Sequence, residues 1–146
     1  MPKTRAITRD YPVSAEILWA DILDPAALAA SMEGALTYEG LPSEPVFEGQ
    51  VINVTIKRWG WWPMGKWTMK VVERDDEAYV LRSEEWGGPV KCYRHRLDVT
   101  PTGPESCQYT DHLDLDAGWL TPVVFPMFCK MYERRHETRA ARLAVR

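Results

Sequence analysis

A histidine and an aspartate in neighbouring alternating segments are the residues of this sequence best suited to chemistry. His95 falls in the alternation Tyr93-His95-Leu97-Val99, and Asp111 in Cys107-Tyr109-Asp111-Leu113-Leu115. Each is the polar member of an otherwise apolar set, with a period of two. Closing the hairpin between them at Thr100–Ser106 puts His95 opposite or diagonal to Asp111, within side-chain reach. An aspartate that fixes the tautomer of an imidazole suits proton abstraction beside a carbonyl, the step that aldol cyclisation or dehydration needs. The pair has a second explanation, as a satisfied buried contact that sets the register of two strands. Opposite sheet faces would exclude a dyad.

Arg58 and Glu85 are two further charges in apolar company, at strand ends near Trp67 and the Trp86-Gly87-Gly88 turn. Buried charge without a partner costs several kcal/mol, so these groups must be paired, at a rim, or at work. Arg58 fits the carboxylate or phenolate of a ligand; it equally fits a pair with Glu85 or a stack on Trp67. A five-residue loop at WGGPV sets Glu85 across from Lys91, Ser83 across from Tyr93 and Leu81 across from His95.

Other chemistries find no support. His95, His112 and His136 lack metal-ligand spacing, and His112 falls on the wet side with Asp114. There is no nucleophile elbow, phosphate loop or dinucleotide fingerprint, so neither metal nor cofactor is expected. Of the three cysteines, Cys107 and Cys129 are expected inside and Cys92 towards water, as reduced thiols in a cytosol.

These residues need elements to position them. Residues 3 to 11 alternate as a first strand. Ser14 caps a short helix with Ile17, Leu18 and Trp19 at packing positions, and Asp24-Pro25 starts a second from Ala26 to Met32. Residues 33 to 49, with three glycines and two prolines, read as a loop with a short edge strand around Phe47. From Gln50 onward the period is two: Ile52-Val54-Ile56-Arg58, Trp67-Met69-Val71, Tyr79-Leu81-Ser83-Glu85, then the two sets above. Turn signals WPMG, RDDE, WGGP and PTGPE separate them. Antiparallel strands with one dry and one wet face follow.

The chain closes with a long helix from about Val124 to Leu143, Thr121 as its N-cap and Pro122 at its first position. Phe125, Phe128, Cys129, Tyr132, His136, Arg139 and Leu143 share one face. His136 reads as a core-edge histidine there, and the basic residues after Glu133 as a solvated end that offsets the helix dipole.

A length of 146 residues suits one domain, 1–146. The net charge of −3 argues against a nucleic-acid partner, and no apolar run nears 18 residues, so no membrane insertion is expected. The N-terminus has no apolar signal segment, which points to a cytoplasmic monomer or homodimer. The tryptophan-rich stretch RWGWWPMGKW reads as a lid or plug at one end of the core, or as a docking tip.

The order of elements, the segment YPVSAEILWADILDP (Tyr11–Pro25), the pair KCYRHRLDV and CQYTDHLDLDAG, and the closing helix together resemble the SRPBCC superfamily. That superfamily includes START domains and polyketide cyclase/dehydrase-like proteins. The resemblance implies an α+β helix-grip fold: a curved antiparallel sheet of six to seven strands around a long C-terminal helix, with two short helices after strand 1. It implies an apolar or aromatic ligand between sheet and helix. The expected ligand wall is Arg58, Trp67, Met69, Leu81, Glu85, Tyr93, Tyr109, Leu113, Phe125, Phe128 and Tyr132, with His95 and Asp111 as the catalytic pair. Three functions stay open: a binding module, a cyclase/dehydrase-like enzyme, or an interaction protein docking through the tryptophan-rich loop.

Overall fold

Seven strands and three helices make up the fold in a computed structural model, which describes residues 2–58 and 62–145. Strand β1 (Lys3–Tyr11) is followed by helices α1 (Ala15–Leu23) and α2 (Pro25–Ser31). Strands β2 (Leu36–Glu39), β3 (Val51–Arg58), β4 (Trp62–Asp75), β5 (Val80–Gly87), β6 (Val90–Gly103) and β7 (Ser106–Asp116) come next. A 3₁₀ turn (Gly118–Leu120) leads into helix α3 (Thr121–Ala144). One antiparallel sheet holds all seven strands in the order β1-β7-β6-β5-β4-β3-β2. The helix-grip architecture is as the resemblance implied.

The helix starts follow from local chemistry. Ser14 Oγ accepts from the Ile17 amide, and the Asp24 carboxylate accepts from the Ala26 amide, which satisfies orphan donors at both N-termini. Thr121 acts differently from the expected cap. It is already helical, and its hydroxyl accepts from the Ala117 amide and donates to the Gly118 carbonyl. It therefore fastens the preceding 3₁₀ turn, while α3 itself has no side-chain cap. Gly118, at φ +61°, makes that turn possible.

The edge strand forms at Leu36–Glu39 rather than around Phe47. Tyr38 and Glu39 pair with Ile56 and Thr55, whereas the Phe47 segment follows Pro42 and Pro45, which offer no N–H to a ladder. The segment WPMG, expected as a turn, opens β4 instead, with Trp62 opposite Arg58; Trp59 and Trp61 lie outside the described residues. Register shifts at Ile56/Lys57, Val71/Glu73, Glu85/Gly87 and Pro101/Gly103 mark bulges, which add local twist and bend the strands.

The concave face carries the apolar sets. One buried cluster joins Tyr11, Leu18, Trp19, Val99, Tyr109 and Leu143, under α1 and the end of α3. A second joins Ile7, Tyr93, Leu113, Leu115, Phe125 and Cys129, under the start of α3. The polar residues of interest lie between these two clusters. Helix α3 buries Phe125, Cys129, Tyr132, His136, Arg139 and Leu143 along one stripe, as the spacing predicts; Phe128 is only half-buried. No described helix is long and apolar enough to cross a membrane.

Candidate functional site

Asp111 is 1% exposed and receives two imidazoles. His95 Nε2 lies 2.5 Å from Oδ1, and His136 Nε2 lies 2.6 Å from Oδ2. The second approach is short but off the ideal hydrogen-bond line. His95 reaches Asp111 diagonally, since its direct partner on β7 is Leu113 and Asp111 pairs with Leu97. His136 comes from the facing helix, one turn beyond Tyr132. Its Nδ1 is 2.8 Å from the Tyr11 hydroxyl.

The partners assign the protons. With Asp111 ionised, both Nε2–H groups donate to it, and the Tyr11 hydroxyl donates to His136 Nδ1. His95 Nδ1 is then the basic nitrogen left over. Burial alone would raise the Asp111 pKa, but His95 and His136 outweigh it and hold the carboxyl below its usual range. Burial pushes the Tyr11 phenol up, so it remains a protonated donor at neutral pH.

His95 Nδ1 points towards Glu85, whose Oε2 is 3.9 Å away. Glu85 is buried and satisfied: Trp67 Nε1 donates to Oε1 at 2.8 Å and Ser83 Oγ to Oε2 at 2.6 Å. This differs from the expected pairing. Only Gly88 and Pro89 separate β5 from β6, which moves the register by one residue, and the bulge between Glu85 and Gly87 moves it by another, so Glu85 faces Tyr93, Ser83 faces His95 and Leu81 faces Leu97. The turn and the bulge together bring Glu85 to His95. Gly87 allows the strand end to close down: a Cβ there would sit 2.3 Å from the Lys66 carbonyl oxygen and 2.7 Å from the Trp67 ring.

These groups border a cavity of about 310 Å³ between the concave sheet and α3. Trp67, Tyr93, Phe128 and Tyr132 form its aromatic wall, with ring centroids 5.3–6.5 Å apart. The His95 ring stacks on Tyr93 at 5.7 Å and meets Tyr132 at 5.1 Å. Burial raises the Tyr93, Tyr109 and Tyr132 phenols, which keeps them as neutral hydroxyls. A larger depression of about 430 Å³ lies on the convex face, lined by Thr4, Arg82, Arg94, Arg96, His112 and Asp114. It is open and more polar, and the buried ionic cluster lies on the opposite face of the sheet.

Residues 5–146 match the sequence profile of the family described as polyketide cyclase / dehydrase and lipid transport. The chain belongs to this family. Its fold recurs in norcoclaurine synthase from Thalictrum flavum, solved with dopamine and hydroxybenzaldehyde, at TM-score 0.74 and 17% identity over 99% of this chain and 87% of that one. A protein of Chromobacterium violaceum matches at TM-score 0.75 and 14% identity, covering 95% and 96% of the two chains. A START superfamily protein of Mycobacterium smegmatis matches at 0.68 and 14%, covering 96% and 98%. Compared by sequence with proteins of curated function, the chain has no significant match.

Of the wall expected for a member of this family, Trp67, Met69, Leu81, Glu85, Tyr93, Tyr109, Phe128 and Tyr132 line the cavity, together with His95. Four expected residues do not. Arg58 is exposed on β3 opposite Leu36, near the sheet edge. Leu113 and Phe125 pack against each other's neighbours in the second core cluster, where the start of α3 lies directly on β7. Asp111 is behind His95 and reaches the cavity only through it.

Five residues take roles that were not anticipated. His136 completes the contact to Asp111. Arg139 is 3% exposed, and together with the part-exposed Arg142 it holds Asp21 of α1, at 3.1 and 2.8 Å. Arg135 and Tyr38 line the cavity beyond Tyr132. His112, on the wet side with Asp114 as expected, pairs with Asp98. Among the described residues no cluster has the make-up of a metal site.

Proposed function

We propose that this member of the polyketide cyclase/dehydrase and lipid-transport family binds an apolar, ring-bearing small molecule between sheet and α3. The observation that carries the reading is the aromatic cavity itself, about 310 Å³ walled by Trp67, Tyr93, Phe128 and Tyr132. A pocket of that size, apolar with a few convergent polar groups, is the usual form of a small-molecule site. Norcoclaurine synthase, a protein of the same fold, holds aromatic molecules. Native mass spectrometry of the protein isolated from its own host tests this. The expected result is a co-purifying ring compound released on denaturation. A protein that leaves the host bare and takes up no ring compound from a host extract would overturn it.

A second reading, acid–base catalysis on that ligand, is favoured by one specific observation. His95 borders the cavity with Nδ1 as its unengaged nitrogen, while Asp111 holds Nε2 at 2.5 Å. In this reading His95 takes a proton from carbon next to a carbonyl, and Asp111 positions the ring and stabilises the imidazolium. His136 and Tyr11 in turn fix Asp111. Exchange of the α-hydrogens of 2-tetralone into deuterated water, followed by NMR, is the check. Acceleration by the wild type and its loss in His95→Gln are expected; equal rates with and without protein would leave binding alone.

A further inference from the structure

One end of the cavity carries a guanidinium with no carboxylate at ion-pair distance among the described residues; Asp111 acts on it only from farther off. Arg135 lines the cavity on α3, one residue before His136 and three after Tyr132. Its guanidinium lies over the Tyr132 ring, 4.3 Å from the centroid, and its charge acts on the Tyr38 phenol of the edge strand, which lines the same cavity. Its Nε meets only the Met32 sulfur, at 3.5 Å, a weak acceptor. An arginine stays protonated in any such setting.

The nearby carboxylates are engaged elsewhere. Asp21 is held by Arg139 and Arg142. The Asp24 side chain caps α2 through the Ala26 amide. Glu85 takes its two hydrogen bonds from Trp67 and Ser83. The cavity therefore holds two polar groups around the Tyr132 ring, His95 with Glu85 and Arg135 with Tyr38. Charge taken out of bulk water calls for an opposite charge, and a guanidinium fork matches the two oxygens of a carboxylate.

We infer that Arg135 and Tyr38 form an anion subsite, and that the ligand is an apolar ring compound carrying a carboxylate. This rests on the cavity reading above and adds the ligand's charge and orientation. A monoanion suits the site better than a phosphate dianion, because Arg139 is taken up by Asp21 and Glu85 shares the same cavity. With the carboxylate on Arg135, the ring system extends past Tyr132 towards His95, Trp67 and Phe128.

Calorimetric titration with 2-naphthoate and with its neutral isostere 2-naphthamide tests the inference. The wild type should prefer the acid by roughly ten- to hundredfold, the usual reach of a charge-assisted hydrogen bond. Arg135→Gln should bring the two affinities together by weakening the acid alone, with the amide unchanged within about threefold and the circular dichroism spectrum intact. If that variant fails to fold, Tyr38→Phe, which keeps the ring, should reduce the acid preference several-fold. Equal binding of acid and amide by the wild type overturns the anion subsite and leaves the cavity reading standing. Preference for the acid that survives in Arg135→Gln also overturns it. Binding of neither probe removes the cavity reading and the subsite with it.

Discussion

Two histidine–aspartate pairs lie back to back on strands β6 and β7. On the concave face His95 meets Asp111 at 2.5 Å, with side chains 10% and 1% exposed. On the convex face His112 meets Asp98 at 2.9 Å, with side chains 42% and 23% exposed. Residue types and strands are the same; only the face differs. The outer pair joins a chain of surface charges, Arg96 to Asp98 and Arg94 to Asp114, each solvated and separable. The inner pair is locked into a cluster in which Asp111 answers two imidazoles and Tyr11 answers one of them. A charge pair in water is weakly worth having, whereas a buried one is costly to build and costlier to break in half.

The comparison is broken most sharply by removing each aspartate in turn. Asp111→Ala should cost about 3–5 kcal/mol in urea unfolding, because two buried imidazoles lose their shared acceptor. Asp98→Ala should cost at most about 1 kcal/mol. Equal losses would mean that burial does not separate the two pairs. Phe128→Ala should fall below the roughly 3–5 kcal/mol of a fully buried phenylalanine, since half of that ring faces the cavity. Tyr11→Phe should cost about 1–3 kcal/mol, the penalty of leaving His136 Nδ1 buried without its donor.

Acid sharpens the contrast further. The Asp111 pKa is lower in the fold than in the unfolded chain, where it is about 3.9. Its contribution is therefore complete above about pH 4 and is lost as pH falls towards the folded value. Unfolding free energies measured from pH 6 down to pH 2 should decline more steeply for the wild type than for Asp111→Asn. Parallel slopes would show that Asp111 is not the group being titrated.

Much of this face-by-face difference could be read from periodicity. The two-residue alternation put His95 and Asp111 inward and His112 outward, and the turn at residues 100–106 gave their diagonal contact. The 3.6-residue period of α3 marked the stripe from Phe125 to Leu143. What the pattern could not contain is where that stripe comes to rest on the sheet. His136 looked like a core-edge residue because its partner is 25 positions upstream on another element. Arg139 and Arg142 were grouped with a solvated basic end because their partner, Asp21, is supplied by the distant α1. Glu85 was placed two residues out of register because a two-residue and a five-residue loop are both compatible with Gly87-Gly88-Pro89, and because the bulge before Gly87 leaves no mark in the alternation. The edge strand was misplaced for a related reason: Phe47 is apolar, but backbone donors decide a ladder, and the flanking prolines supply none.

The close packing at Gly87 gives the cavity a mechanical limit. The end of β5 clears the Lys66 carbonyl and the Trp67 ring by less than one methyl group. A side chain at that position would lever the indole away from the sheet and withdraw the N–H that holds Glu85. The width of the pocket and the aim of its carboxylate are thus set by the same missing atom, so this position acts as a spacer of fixed gauge, and its tolerance to substitution measures how tightly pocket size and carboxylate orientation are coupled.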